Sequence, residues 1–135
     1  MNATAPICAY VLGTICAGVG LNCIRDPAAE MPRFGLPMDN ADLRKGAQSR
    51  LQGASPLVYV KGRGEFGVGI ALLALQYQDN KPAVTTMAAV IALMGISDAL
   101  IVWFNSGNKM RHKALGHGCF GAIFAAWAIA RAGLF

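Results

Sequence analysis

Charged residues are scarce in this chain: they make up 14% of its 135 residues, whereas a soluble domain carries about 25%. Hydrophobic residues make up 55% of the chain, and the mean hydropathy is +0.43. The length suffices for one domain at most. The scarcity of charge therefore argues against a soluble globular protein, and the short length excludes a protein kinase or a complete dinucleotide-binding enzyme.

Patterns that bind metals or form disulfides are missing from the sequence as well. No CxxC pair occurs, and no histidine stands at ligand spacing from the four cysteines, Cys8, Cys16, Cys23 and Cys119. All four lie in apolar runs, where free cysteines act as small packing residues. We therefore expect no disulfide, no metal site and no cofactor.

Long apolar runs are what the sequence has in abundance. A helix needs about 20 residues to cross the ~30 Å hydrocarbon core of a bilayer, and four runs reach that length: 6–24, 57–78, 82–104 and 114–134. We therefore predict an all-α fold, an integral membrane four-helix bundle that forms a single domain over residues 1–135. A soluble bundle with very apolar helices is the alternative.

Basic residues are distributed unevenly between the two ends of this bundle. Eight lie in the segments that follow the first and third apolar runs, and two, Lys81 and Arg131, lie at the opposite end. By the positive-inside rule, both basic segments face the cytoplasm and both termini face the lumen or the outside. The net charge of +5 then reflects orientation and contact with the lipid bilayer, so we expect no nucleic acid as a partner. In a eukaryote this multi-pass protein would reside in the endoplasmic reticulum or another endomembrane.

The segment 25–56 is the one sizeable polar part of the sequence. It has three prolines before position 40, and after them we predict a short cytoplasmic helix that begins at Asp39 or Asp42, where aspartate can cap it. The apolar patch "FGLP" at 34–37 is interpreted in two ways. It either dips into the membrane interface as a lid or belongs to a solvated loop.

The stretch "VYVKGRGEFGVG" at 58–69 matches the glycine pattern of dinucleotide-binding loops. A phosphate loop, however, follows a strand and opens a helix, whereas this stretch lies inside the second apolar run. In a membrane helix, glycines let neighbouring helices approach closely and tolerate a local break. Among them stand Lys61, Arg63 and Glu65, and charges at this depth are costly unless they are paired or functional.

Polar residues from all four predicted helices lie in the same leaflet. Counted from the cytoplasmic end, Glu65 is about 12 Å and Asp98 about 10 Å inside the bilayer, while His117 and Asn22 are within about one turn. We therefore predict one polar pocket between the helices, open to the cytoplasm, with the opposite half of the bundle apolar. The alternative for Lys61 and Glu65, four residues apart, is that they only neutralise each other.

The motifs around these residues resemble a known family. The runs "KGRGEFGVGIALLAL", "ISDALIVW" and "HGCFGAIF", together with "FGLP", are similar to those of small four-helix membrane proteins of largely unassigned function that are common in fungi. Some small membrane proteins of fungal polyketide pathways are described as epoxide hydrolases or cyclases. The resemblance implies such a role, with a lipophilic secondary metabolite such as a polyketide as the substrate.

The chemistry of epoxide opening fits the polar residues of the predicted pocket. A carboxylate must activate water or a hydroxyl group, and an acid must protonate the leaving oxygen. We expect Glu65, Asp98, Arg63 and His117 to be catalytic, with Arg63 or Lys61 orienting the two carboxylates. Arg63 lies about 160° around a helix from Glu65, so its participation requires local unwinding, whereas Lys61 shares a face with Glu65.

Substrate binding is expected from polar and aromatic residues near the helix ends, namely Asn22, Lys61, Tyr59 and Trp103. Two other functions remain open. One is a membrane isomerase or cyclase that acts by proton transfer, and the other is a proton-coupled transporter of small molecules, whose embedded carboxylate would exchange protons. A non-catalytic scaffold would leave the buried acids unexplained. The sequence allows a homo-oligomer.

Overall fold

The structure is a computed structural model that describes residues 4–35 and 56–133. All regular secondary structure in these ranges is helical, which confirms the predicted all-α class for this part of the chain. The helices are α1 (Thr4–Arg25), α2 (Pro27–Phe34), α3 (Pro56–Tyr77), α4 (Lys81–Asn105) and α5 (Gly107–Arg131).

The four long helices cover the four predicted apolar runs, with one clear difference in their bounds. Helix α5 begins at Gly107, seven positions before the predicted start at residue 114. Lysine, methionine and arginine are good helix formers, so the basic segment after α4 continues into α5 as its first turns. Only Ser106 separates the two helices.

Among the described residues, three stretches are long and apolar enough to cross a membrane: Pro6–Arg25, Lys81–Asn105 and Met110–Arg131. These stretches lie in α1, α4 and α5 and characterise a membrane protein. Helix α3 has the length of a span, 22 residues, but it carries three charged residues between positions 61 and 65. Its hydropathy alone therefore does not identify it as a fourth span.

Helix α2 lies in the polar segment where the sequence suggested only a proline-rich connection. The Asp26 side chain caps it by accepting a hydrogen bond from the backbone N–H of Ala29 at 3.3 Å, and Pro27 occupies its first turn, as prolines commonly do. Gly35 ends the helix in a left-handed conformation with φ of 97°. The short helix predicted from Asp39 or Asp42 lies outside the described residues.

Glycines join the long helices into two closely packed pairs, α1 with α3 and α4 with α5. A Cβ atom added at Gly69 would overlap the backbone of Ala17, and one added at Gly95 would lie 2.9 Å from the Cα atom of Gly121. Small residues allow such close approach between membrane helices. Contacts between the two pairs are sparse, which leaves a seam between them; we call it the interpair seam.

The glycine-rich stretch on α3 is therefore a packing element, as the sequence predicts, but only two of its four glycines are used in this way. Gly62 and Gly69 face α1, whereas an added Cβ atom at Gly64 or Gly67 would meet nothing within 4 Å. Helix α3 is continuous from Pro56 to Tyr77. The glycines thus cause no break in the helix.

The bundle has an apolar half and a polar half. The buried cluster that fills the apolar half draws on all four long helices and consists of Ala9, Cys16, Leu72, Val84, Ala88, Ile91, Ala92, Phe124 and Ala128. These residues come mainly from the first halves of α1 and α4 and from the second halves of α3 and α5. Because α1 and α4 run antiparallel to α3 and α5, these halves meet at the end of the bundle that lies away from α2. The polar residues gather at the end of the bundle that α2 covers.

Candidate functional site

A lysine held between two carboxylates is the centre of the polar half. The Nζ atom of Lys61 lies 2.8 Å from Oε1 of Glu65 and 3.0 Å from Oδ2 of Asp98. Lys61 and Glu65 are four residues apart on α3 and therefore share one face. Asp98 comes from α4, so its ion pair with Lys61 crosses the interpair seam. We call these three residues the ionic triad.

The ionic triad is shielded from its surroundings but not sealed. The side chains of Lys61, Glu65 and Asp98 are 25%, 16% and 22% exposed. One ammonium group faces two carboxylates, so the triad has one more negative than positive charge. Since both carboxylates bond the same nitrogen atom, their bonded oxygens are no more than about 6 Å apart, which is within the range of carboxylate pairs that share one reaction.

Phe34, at the end of α2, closes one side of the ionic triad. The centroid of its ring lies 4.2 Å from Nζ of Lys61, and the ring packs edge-on against the ring of His117, with 4.5 Å between the ring centroids. A cation near an aromatic face is stabilised by the electrons of the ring. Of the predicted lid "FGLP", Phe34 thus forms part of the wall of the site, and residues 36 and 37 lie outside the described residues.

A hydrogen bond between α5 and α2 sets the tautomer of the neutral His117 ring. Its Nε2 atom lies 2.9 Å from the carbonyl oxygen of Phe34, one of the last carbonyls of α2, which lack partners within a helix. A carbonyl can only accept, so Nε2 carries the hydrogen. In the neutral ring Nδ1 then holds the lone pair, and this atom can accept a hydrogen bond or a proton.

The ionic triad lies in the wall of a cavity of about 350 Å³, the size of a small-molecule site. Helix directions arrange its lining in three levels. Basic side chains lie at the level nearest the end of α2, which we call the mouth: Arg33, His112 and Lys113. The triad, Phe34 and His117 form the middle, and the floor is apolar: Ile15, Cys16, Val19, Val68, Ile91, Met94 and Phe120.

A second cavity, of about 330 Å³, adjoins the same three ions from another direction. It is lined by Lys61, Gly64, Glu65, Leu93, Met94, Ser97 and Asp98. All of these residues belong to α3 and α4, the helices on either side of the interpair seam. The ionic triad can therefore be approached from two sides.

The structure brings together four of the residues singled out in the sequence: Lys61, Glu65, Asp98 and His117. Arg63 is not among them. It is exposed and lines neither cavity, because α3 is continuous and two positions turn a side chain to nearly the opposite face of a helix. Of the two alternatives, the local unwinding that Arg63 would need does not occur, and Lys61 is the cation that contacts both carboxylates.

Three residues expected to bind substrate also lie outside both cavities. Asn22 is exposed on α1, and Tyr59 is half-buried near the start of α3. Trp103 is exposed, and the guanidinium group of Arg111 lies 5.2 Å from its ring. These positions near the helix ends suit the aromatic and polar belt at a membrane interface.

Several residues of the cavity were not among the predicted site residues, above all Lys113 and Phe34, which the sequence placed only in a possible lid. The pair Asp26-Pro27 is a start signal for a helix, and reading it would have predicted α2. The spacing of Lys113 and His117, four residues apart, would have placed both on one face of a helix. Neither signal indicates that α2 covers the cavity.

The described residues form neither a disulfide nor a cluster of metal ligands at the site. All four cysteines are free thiols. In the ranges 4–35 and 56–133, no three His, Cys, Asp or Glu side chains are grouped so that they could hold a metal ion. The polar groups at the middle level of the cavity are two carboxylates, an ammonium group and an imidazole.

Comparison with known proteins relates the chain to one family. The model of the family described as "domain of unknown function (DUF4267)" matches residues 13–131, a range that includes the ionic triad, Phe34 and His117. No curated protein and no solved structure matches the chain.

Proposed function

We infer the function of this chain, which belongs to the family described as a domain of unknown function (DUF4267), from the site between its helices. We propose that it is an integral-membrane acid–base enzyme that opens the epoxide of a lipophilic small molecule, as a hydrolase or a cyclase. The substrate class we favour is a secondary metabolite such as a polyketide, in line with the resemblance noted in the sequence.

One observation carries this proposal: the two carboxylates share the ammonium group of Lys61 at 2.8 and 3.0 Å, in the wall of a cavity with an apolar floor. Epoxide opening requires a base and an acid close to the same small group. The carboxylates supply the base, and Lys61 supplies a proton donor beside it. An apolar cavity admits a lipophilic substrate and strengthens electrostatic interactions within it.

The ionic triad supplies and recovers every proton that the proposed reaction moves. Glu65 or Asp98 removes a proton from water or from a hydroxyl group of the substrate. The activated oxygen attacks one epoxide carbon, the bond from that carbon to the ring oxygen breaks, and the ring oxygen takes a proton from Lys61. The protonated carboxyl then returns its proton to Lys61 through their hydrogen bond. Water yields a diol and an internal hydroxyl yields a cyclic ether.

His117 is proposed to hold the substrate rather than to enter this proton cycle. Its Nε2 atom is occupied by the carbonyl oxygen of Phe34. The lone pair of Nδ1 in the neutral ring can accept a hydrogen bond from a substrate hydroxyl group. In a cyclase this bond would orient the attacking hydroxyl toward the carboxylates.

We further propose that all four long helices span the membrane, in the endoplasmic reticulum or another endomembrane. Helix α3 would be the fourth span, because Lys61 and Glu65 are paired with each other and with Asp98, which lowers the cost of placing them in the bilayer. The excess of basic residues beside α2 and at the start of α5 supports a cytoplasmic location for that end. The cavity mouth would then face the cytoplasmic leaflet.

The experiment that tests the reaction is chemical. Protein purified in a neutral detergent is incubated with lipophilic epoxides in water labelled with heavy oxygen, and the products are analysed by mass spectrometry. Hydrolysis places the label in a diol, whereas attack by an internal hydroxyl gives an unlabelled cyclic ether. Asp98→Asn and Glu65→Gln keep the side-chain shape but remove proton transfer, so each should lower turnover by ~10²-fold or more.

The matched control is Asp79→Asn, which removes an exposed carboxylate at the opposite end of the bundle. It should turn over like the wild type. If the wild type converts no epoxide, or if the variant Glu65→Gln/Asp98→Asn is as active as the wild type, the enzymatic proposal is wrong.

The second cavity favours one competing function, proton-coupled transport. Because the ionic triad adjoins two cavities on different sides, a carboxylate there could exchange a proton for a substrate that passes through. A transporter would show substrate movement driven by a pH gradient in sealed proteoliposomes, abolished by Asp98→Asn, and no product in the heavy-oxygen assay. An enzyme would instead form product in the heavy-oxygen assay and show no substrate movement driven by the pH gradient.

A further inference from the structure

The mouth of the larger cavity carries positive charge that the proposed reaction does not use. Of its basic residues, Arg33 is 67% exposed and already pairs with Glu30 at 2.6 Å. His112 is exposed and Lys113 is half-buried. Within the described part of the chain, no acidic side chain pairs with Lys113.

Lys113 is held at the mouth by its packing against α2. A Cβ atom added at Gly35 would lie 2.7 Å from Cβ and 3.2 Å from Cγ of Lys113, so the stem of the lysine is fixed where α2 ends. The same side chain lines the cavity. An amphipathic lysine held by its stem in this way presents its ammonium group to the more polar side, here the mouth.

The side chains that line the cavity change from a positive to a negative net charge between the mouth and the middle level. Lys113 and His117 are four residues apart on α5, a rise of ~6 Å, and beside His117 lies the ionic triad with its excess negative charge. An anionic group is therefore attracted to the mouth and repelled from the middle of the cavity. An apolar chain attached to it would be accommodated along the floor, past the triad.

We propose that the cavity binds an amphiphilic anion, a lipophilic molecule whose carboxylate or phosphate group lies at Lys113 with its apolar body beyond the ionic triad. The inference rests on the proposed function only in taking the bound molecule to be the substrate. It then specifies that substrate further: the reacting carbon lies about one to two helical turns, ~6–10 Å, from the anionic group.

The chain offers a matched control for Lys113. Arg111 is a basic residue two positions away on α5 and is exposed, but it lies against Trp103 and lines neither cavity. If the basic residues at this end only met lipid headgroups, removing either charge would have the same effect. If the cavity binds an anion, only Lys113 matters.

The test measures ligand binding directly. The protein is placed in phosphatidylcholine nanodiscs, and radiolabelled dodecanoate, dodecanol or dodecyltrimethylammonium is dialysed against it, with empty nanodiscs as the blank. We expect saturable binding of dodecanoate that exceeds the binding of dodecanol about tenfold. The Lys113→Met variant should lose about tenfold in affinity for dodecanoate, Lys113→Arg should retain it, and Arg111→Met should match the wild type.

Two results would overturn the anion site. One is an equal loss of affinity in Lys113→Met and Arg111→Met, and the other is tighter binding of dodecyltrimethylammonium than of dodecanoate. Circular dichroism of each variant in the same nanodiscs establishes that the helices are intact. Retention by Lys113→Arg then separates a charge effect from a packing effect.

Nanodiscs that also contain phosphatidic acid identify the source of the anion. If phosphatidic acid displaces dodecanoate from the wild type, a lipid headgroup occupies the mouth. If it does not, the site is specific for a free amphiphile. Either result supports an anion site, and each assigns it to a different occupant.

Turnover separates this inference from the proposed function. An epoxide-bearing fatty acid and its methyl ester are compared as substrates of the wild type. If dodecanoate binds as expected but neither epoxide reacts, the anion site stands and the proposed reaction fails on these compounds. If both react equally and dodecanoate does not bind, the reaction stands and the anion site is refuted.

Discussion

Replacing Lys61 should affect the protein far more than replacing Arg63, although the two basic residues are only two positions apart on α3. Lys61→Met removes the cation that both carboxylates share, at 2.8 and 3.0 Å. Arg63→Met removes an exposed charge that lines neither cavity. Both substitutions remove one positive charge from the same helix, so the comparison isolates the contacts.

The size of the effect follows from the geometry of the ionic triad. Without Lys61, two carboxylates remain no more than about 6 Å apart, and at an effective dielectric constant of ~20 their repulsion is about 3 kcal/mol. Breaking a buried ion pair by removing one partner costs about 3–5 kcal/mol in general. We therefore expect Lys61→Met to lower the free energy of unfolding by about 3 kcal/mol, and Arg63→Met to change it by about 0.5 kcal/mol or less.

The assay is unfolding of the purified protein in neutral detergent by added sodium dodecyl sulfate, followed by the helical circular dichroism signal. A third variant, Lys61→Met/Glu65→Gln/Asp98→Asn, tests the cause of the loss. Because it removes the two anions along with the cation, it should recover most of the stability while remaining inactive. The reasoning is refuted if the Lys61 and Arg63 variants are equally stable, or if the triple variant is no more stable than Lys61→Met.

Three further predictions concern packing, substrate binding and orientation. Gly69→Ala, whose Cβ atom would overlap the backbone of Ala17, should lower the free energy of unfolding by about 2 kcal/mol. Gly67→Ala, whose Cβ atom would meet nothing within 4 Å, should be neutral or stabilising by up to ~1 kcal/mol. Equal effects of the two substitutions would contradict the close packing of α1 and α3. Phe34→Ala removes part of the cavity wall and should raise KM about tenfold with a smaller change in kcat; an effect on kcat alone would exclude a binding role. A cysteine at Arg25, with the native cysteines replaced by alanine, should react with an impermeant maleimide in sealed endomembrane vesicles, whose cytoplasmic face is outermost. Protection of this cysteine until detergent opens the vesicles would refute the cytoplasmic location of that end.

The sequence was a sufficient guide to the four long helices because helix formation in an apolar segment is a local property. The four apolar runs correspond to α1, α3, α4 and α5, and the largest difference in bounds occurs at the start of α5, where basic helix formers extend the helix. Helix α2 was missed because three prolines suggested a loop, although Pro27 stands in the first turn, where the missing N–H is not needed.

The candidate site was only partly predictable for a different reason. Membrane helices that are apolar on all sides do not reveal which face meets a neighbour, so depth along the axis was the only coordinate available from the sequence. Depth suggested Glu65, Asp98 and His117 as one group, together with Asn22. The structure leaves Asn22 outside the cavities, because depth carries no information about rotation around the helix axis.

The sequence by itself determined that this protein is made of apolar helices and that Lys61 and Glu65 face the same way, since both follow from composition and from the 3.6-residue helical period. Only the tertiary structure decided that Asp98 joins them, that Lys61 rather than Arg63 is the shared cation, and that Phe34 closes the site. The physical reason is that glycine contacts fix the rotation and spacing of the helices within each pair, while the ion pair of Lys61 with Asp98 joins the two pairs, and all of these contacts join residues far apart in the chain.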